Sequence, residues 1–99
     1  MRPEELLFAE NKREEIYEMR PDYPYAVRRF DVDLSGTMIA PWHWHEEMEL
    51  VYAAEGSMEV RIPSSSFCVR KEDLFAINSN TLHFASSLEG CLLHSLVFS

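Results

Sequence analysis

The sequence predicts an all-β fold. From Tyr25 onward, apolar and polar residues alternate with a period of two in short runs rich in β-branched and aromatic side chains, the pattern of half-buried strands. Turn-forming clusters such as Leu34-Ser35-Gly36, Pro63 to Ser66 and Asn78-Ser79-Asn80 interrupt these runs at intervals of about 8–12 residues, the spacing of a sandwich or barrel. No β-α-β alternation is present, which argues against a doubly wound sheet.

Ninety-nine residues, 46% of them apolar, make one domain with one core. The formal charge of -8 argues against a phosphate-binding surface, because nucleic-acid affinity comes mainly from clustered Lys and Arg that release counterions. There is no apolar run of the roughly 18 residues needed to span a bilayer, and the first residues lack the apolar centre of a signal peptide. The expected location is cytoplasmic, with no membrane partner.

Residues 1–24 read as an N-terminal helix or arm. Pro3-Glu4-Glu5 is a helix start, and a weak amphipathic stripe of Leu6, Ala9, Arg13, Ile16 and Tyr17 carries it to about Met19. Pro21 and Pro24 end it. Residues 25–99 read as the β-domain. Its first strand sets Tyr25, Val27, Arg29 and Asp31 on one face and Ala26, Arg28, Phe30 and Val32 on the other.

Pro41 to Gly56 reads as a single strand that turns at Gly56-Ser57. Beyond it, Met58, Val60 and Ile62 alternate with Glu59 and Arg61, SFCVR forms a short strand, and LFAI is a buried run. TLHFASS is extended around His83, and Glu89-Gly90 turns into CLLHSLVFS. That last strand is apolar on both faces, so a second copy of the chain, or a segment beyond Ser99, is expected to cover it; a homodimer is the expected assembly. Cys68 and Cys91 lack metal-ligand spacing and are expected to be small buried residues without a functional role. His94 is expected to be an ordinary strand residue.

The chemistry concentrates in Pro41 to Gly56. On one strand His43, His45 and Glu49 share a face, with His43 and His45 about 7 Å apart. Trp44, Met48, Leu50 and Tyr52 form the opposite, packing face. The polar face suits a metal, an organic ligand or both; the imidazoles could equally bond one another, a water or a sugar hydroxyl. A buried Glu49 demands a cation, because an unpaired carboxylate costs several kcal/mol to bury. A histidinium or an inward Arg61 is the expected source.

His43, His45, Glu49 and Gly56 reproduce His-x-His-x3-Glu-x6-Gly, and the stretch resembles the first motif of the cupin superfamily. Residues 71–83 resemble the second motif with departures: Glu72, Asn78 and Asn80 replace Gly, Pro and Gly, while His83 matches. The resemblance implies a cupin-like double-stranded β-helix, or jelly-roll, barrel. It also implies a ligand set of His43, His45, Glu49 and His83 for a divalent transition metal such as Zn, Mn, Fe, Ni or Cu.

The wording around the motifs, PWHWHEEMELVYAAEGSMEVRI, KEDLFAINSNTLHFASS and EGCLLHSLVFS, is similar to the N-terminal sensor domain of AraC-type transcription regulators from about Tyr25 to Ser99. That similarity implies a non-enzymatic barrel that binds a small effector, often a sugar. Ligand contacts would come from His43, His45, Glu49 and His83, with Trp42 and Phe75 adding apolar or stacking contacts. DNA would be bound only through a C-terminal helix-turn-helix domain absent from this sequence. The runner-up is a small metal-dependent cupin enzyme of dioxygenase, isomerase or epimerase type.

Overall fold

The computed structural model describes residues 5–16, 19, 22, 24–32 and 38–99. The described residues form six strands: β1 (Tyr25–Val32), β2 (Met38–His43), β3 (Met48–Ile62), β4 (Ser65–Arg70), β5 (Leu74–Ile77) and β6 (His83–Phe98). All pairings are antiparallel. The all-β expectation holds, and no α-helix is present among the described residues.

The two long strands organise the rest. β3 and β6 pair along most of their length, from Met48 opposite Phe98 to Arg61 opposite Phe84. Their ladder shifts register twice, between Ala53 and Glu55 and between Gly56 and Met58. On one side of this break the strand order is β1-β6-β3-β5, and on the other it is β2-β6-β3-β4. One continuous sheet therefore has two halves, and its core draws Phe30, Ile39, Val51, Val60, Val69, Ile77 and Leu93 from all six strands.

Three expectations are corrected here. Gly56-Ser57 and Glu89-Gly90 are bends inside continuous strands, not strand-ending turns. Gly56 and Gly90 both have positive φ, at 72° and 77°, and a Cβ on Gly56 would lie 1.9 Å from the Gly90 carbonyl oxygen. Only glycine permits so close a crossing of two backbones. Second, Pro41 to Gly56 is two strands, because β2 ends at His43 and β3 starts at Met48. Pro41 has no N–H for a ladder, and it sits where the β2 register slips between Ala40 and His43. Third, LFAI buries only Ile77 fully, with Leu74 and Ala76 facing outward.

The N-terminal helix is also corrected over residues 5–16; its start at Pro3-Glu4 and the stripe residue Tyr17 lie outside the described residues, as does the Leu34-Ser35-Gly36 turn. Residues 7–15 form a tight hairpin, with Glu15 N–H donating to the Leu7 carbonyl and Ala9 N–H to that of Arg13. Lys12 takes a left-handed φ of 71° at the turn. A short helix with a weak apolar stripe is marginal in water. Here the backbone finds better partners on the barrel: Glu14 N–H donates to the Trp44 carbonyl at 2.8 Å, and Trp44 N–H to that of Lys12 at 3.0 Å. Over residues 5–16 the N-terminal segment is an arm.

Candidate metal and ligand site

His43 closes β2, His45 lies in the β2–β3 connection, Glu49 is near the start of β3, and His83 opens β6 directly opposite His43. All four are buried. The sequence places them together for a partly wrong reason. Alternation along one strand does not bring them together; the inward ends of three strands do.

The three imidazoles form a tight cluster, with ring centroids 4.0 Å apart for His43 and His83, 5.1 Å for His45 and His83, and 5.8 Å for His43 and His45. Each Nδ1 lies against a backbone carbonyl two residues away: Pro41 at 2.6 Å, Glu47 at 2.9 Å and Thr81 at 2.7 Å. A carbonyl only accepts, so each Nδ1 carries the proton and donates it. Each Nε2 is thereby left to face the centre, and one ligand atom from each ring falls within 4.8 Å of the others. Backbone carbonyls that orient imidazoles in this way are the usual outer support of a metal-binding histidine.

Glu49 sits beside the cluster. Its Oε1 is 3.2 Å from His45 Nε2 and 3.8 Å from His83 Nε2. Its Oε2 accepts from the Ser95 hydroxyl and lies 3.8 Å from Arg28 Nη2. Burial alone would raise the Glu49 pKa, but the hydrogen bond from His45, the nearby His83 ring, the Arg28 charge and the Ser95 hydroxyl hold it well below the ordinary carboxylate range. Glu49 is the ionised centre of the site.

The histidines divide accordingly. Burial, together with the nearby His83, pushes His43 down to about 3, so it stays neutral. For His45 burial works in the same direction, but the hydrogen bond and charge of Glu49 outweigh it and raise the pKa. The bond to Glu49 requires a proton on His45 Nε2, which with Nδ1–H makes the imidazolium. A divalent cation at this point would take that proton's place. The three histidines could hold one, each supplying an imidazole nitrogen, with Glu49 beside them.

Three residues of the site escaped sequence reasoning. Besides the His45 imidazolium, which matches the expected histidinium, Glu49 faces Arg28 on β1 and not Arg61, which is exposed and bonds to Glu59 at 2.7 Å. Arg28 was visible as a lone cation on the face shared by Ala26, Phe30 and Val32. Ser95 was visible in the same way between the inward Leu93 and Val97. Glu14 had no signal. It comes from the arm, is only 3% exposed and pairs with Arg28 through Oε2, while its Oε1 lies 3.6 Å from His43 Nε2.

Trp42 and Phe75 are not brought to the cluster. Trp42 packs on Phe84 with centroids 5.9 Å apart, and Phe75 on Phe67 at 5.3 Å. Neither lines the internal cavity. That cavity is about 40 Å³, bounded on its polar side by Glu14, Arg28, His43, Glu49, His83 and Ser95. It is far below the roughly 300–1,000 Å³ of ordinary small-molecule sites. Trp44 does pack outward, its indole N–H donating to the Asn11 carbonyl. His94 is exposed, and Cys91 is buried as expected; Cys68 is exposed because β4 lies at a sheet edge.

No protein-family profile matches the chain, and no curated protein matches it in sequence. Solved structures do resemble it. A cupin-2 domain-containing protein from Shewanella frigidimarina is 16% identical with a TM-score of 0.66, covering 77% of this chain and 72% of that one. A HTH_3 family transcriptional regulator from Vibrio cholerae is 16% identical with a TM-score of 0.65, covering 95% of this chain and 48% of that one. HppE, in its FeII form with substrate, is 11% identical with a TM-score of 0.66, covering 76% of this chain and 46% of that one. At these identities the likeness establishes the fold, which is that of the cupins. A coverage of 95% is reached only by including most of the N-terminal arm.

Proposed function

We propose that this cupin-fold chain is the effector-sensing part of an AraC-type transcription regulator, one that takes a small polar metabolite, a sugar or related compound, into the barrel beside His43, His45, Glu49 and His83. The N-terminal arm carries this reading. A cavity of about 40 Å³ has room for only a few waters, and the arm supplies two of its walls, Leu6 and Glu14. A metabolite entering it must move the arm, which makes the bound and free states differ in structure. A sensor needs that difference, because a ligand shifts an equilibrium only by its unequal affinity for the two states. The similarity to the Vibrio cholerae regulator, which takes in the arm, supports the same reading.

DNA would be bound by residues outside this acidic chain, whose charge of -8 disfavours phosphate contacts. Self-association has support on the outer sheet face, where Val27, Leu96, Leu50 and Ala76 form a row across β1, β6, β3 and β5. The test is to express the complete reading frame containing these residues and measure DNA affinity with and without a panel of small metabolites. A change of fivefold or more with one compound is expected. A product that binds no DNA at low salt, or that turns over a panel compound, overturns the reading.

The three convergent Nε2 atoms favour a second reading, a metal-dependent enzyme. His43, His45, His83 and Glu49 would hold the ion, and a bound divalent ion supplies Lewis acidity and can activate water. Arg28 and Ser95 would keep Glu49 ionised. Metal analysis of protein purified without added metal tests this: less than a tenth of an equivalent, with stability unchanged in His43→Ala, removes the metal from both readings.

A further inference from the structure

We infer that Glu14 is a built-in competitor for a carboxylate-bearing ligand, and that such a ligand binds by displacing the N-terminal arm and taking over the Glu14 pairing with Arg28. The inference rests on the cavity being a ligand site, and it adds the ligand's chemical class and the element that binding moves.

Arg28 is the cation of a chamber otherwise lined by imidazoles, a carboxylate, a hydroxyl and apolar side chains, and it is only 6% exposed. Glu49 cannot leave it, being fixed in β3 between its pairings with Val97 and Ile77. Glu14 can. It stands on a hairpin whose residues 10–13 are exposed, and the hairpin belongs to none of the six strands. The hairpin is docked chiefly around Trp44: two backbone hydrogen bonds, the indole N–H bond to Asn11, and Arg13 over the Trp44 ring at 5.9 Å. Phe8 adds one edge-on contact with His43, with centroids 5.2 Å apart.

The Glu14 pairing is also incomplete. Arg and carboxylate commonly meet through two parallel bonds that use both oxygens. Here Oε2 meets Arg28, while Oε1 is buried without a hydrogen-bond partner among the described residues. A permanent structural staple would satisfy that oxygen, since an unsatisfied buried acceptor is costly. A free carboxylate, released from the geometry of the hairpin, can turn both oxygens toward the Arg28 guanidinium. The size of the cavity leads to the same conclusion: a metabolite of more than a few heavy atoms needs more room than about 40 Å³, and the arm carrying Glu14 and Leu6 is a wall that can move.

A tethered carboxylate competes at an effective concentration on the order of millimolar, so its removal must tighten binding of a free one. The test is an NMR titration of the full chain with sodium acetate and, separately, acetamide, at matched ionic strength with a chelator present. Wild type, Glu14→Ala and Glu14→Gln are compared. Acetate is the fragment that Glu14→Ala deletes, and Gln preserves the arm's volume should Ala loosen the fold.

Expected are acetate binding about tenfold tighter or more in Glu14→Ala than in wild type, a smaller gain in Glu14→Gln, and no binding of acetamide. In wild type, saturating acetate should strip hydrogen-exchange protection from the Glu14 and Trp44 amides. Equal acetate affinity in all three proteins, equal binding of acetamide, or acetate bound with both amides still protected overturns the inference. The two proposals fail separately. Arm release by acetate without an effect of any metabolite on DNA affinity sinks the sensor reading alone; a DNA response to a neutral metabolite with no acetate binding sinks this one alone.

Discussion

Replacing Gly56 by alanine should cost a large part of this protein's stability. Gly56 has φ 72°, and the new Cβ would lie 1.9 Å from the Gly90 oxygen, 2.8 Å from its carbonyl carbon and 2.9 Å from Cys91 Cα. All three are backbone atoms in the middle of β6, so no side-chain rotation relieves the overlap. Holding an L-residue in the left-handed region costs roughly 1–2 kcal/mol. Forcing the two long strands apart adds roughly 1–3 kcal/mol. The sum of about 2–5 kcal/mol is a large part of the roughly 5–15 kcal/mol by which a domain of this size is stable.

The bend also reverses which residues of β3 point inward, from Glu49, Val51 and Ala53 before it to Met58 and Val60 after it. Its loss should therefore disturb the facing of Glu49 and His83. Urea unfolding measures the cost, and Gly56→Asn is the control. Asparagine tolerates a positive φ but keeps the Cβ, so it should recover less than about 1 kcal/mol. A loss below about 1 kcal/mol in Gly56→Ala would mean that the two backbones do not cross as described.

His83→Ala should lower Co(II) affinity, read by visible absorption, by more than the roughly 10–100-fold that losing a supporting hydrogen-bond partner costs a metal site; an unchanged affinity removes His83 from the ligand set. With a chelator present, stability should fall as pH drops from 6.5 toward 3, because His43 titrates at 6.5 when unfolded but only at about 3 when folded. The unfolded state then binds the extra proton, giving a slope of up to about 1.4 kcal/mol per pH unit. The depressed Glu49 steepens this limb below 4.5, whereas the raised His45 contributes fully below 6.5 and is lost as pH rises above it. Stability should thus peak near neutrality and His43→Gln should flatten the acid limb; an unchanged limb would place His43 in solvent. Val27→Lys, at a residue 70% exposed on the outer apolar row, should convert a dimer to a monomer in light scattering. A wild-type monomer there would refute the self-association reading.

The period-two pattern alone marked β1 as a strand and sorted its two faces: Ala26, Arg28, Phe30 and Val32 share one face, and that face is the inward one. Residue types and spacing set His43, His45 and Glu49 on one face, and the cupin resemblance added His83; the structure brings these four side chains together. Tertiary structure decided everything that depends on contact between distant segments. Gly56 and Gly90 read as two turns until their backbones are seen to cross, and the partner of Glu49 is an arginine 21 positions away on another strand. Glu14 is the extreme case. Nothing in its local sequence separates it from the surface glutamates of a polar helix; only the pairing of the hairpin with Trp44 buries it against Arg28. Local sequence encodes periodicity, whereas the choice between a marginal helix and a docked arm depends on what the rest of the chain offers as a partner.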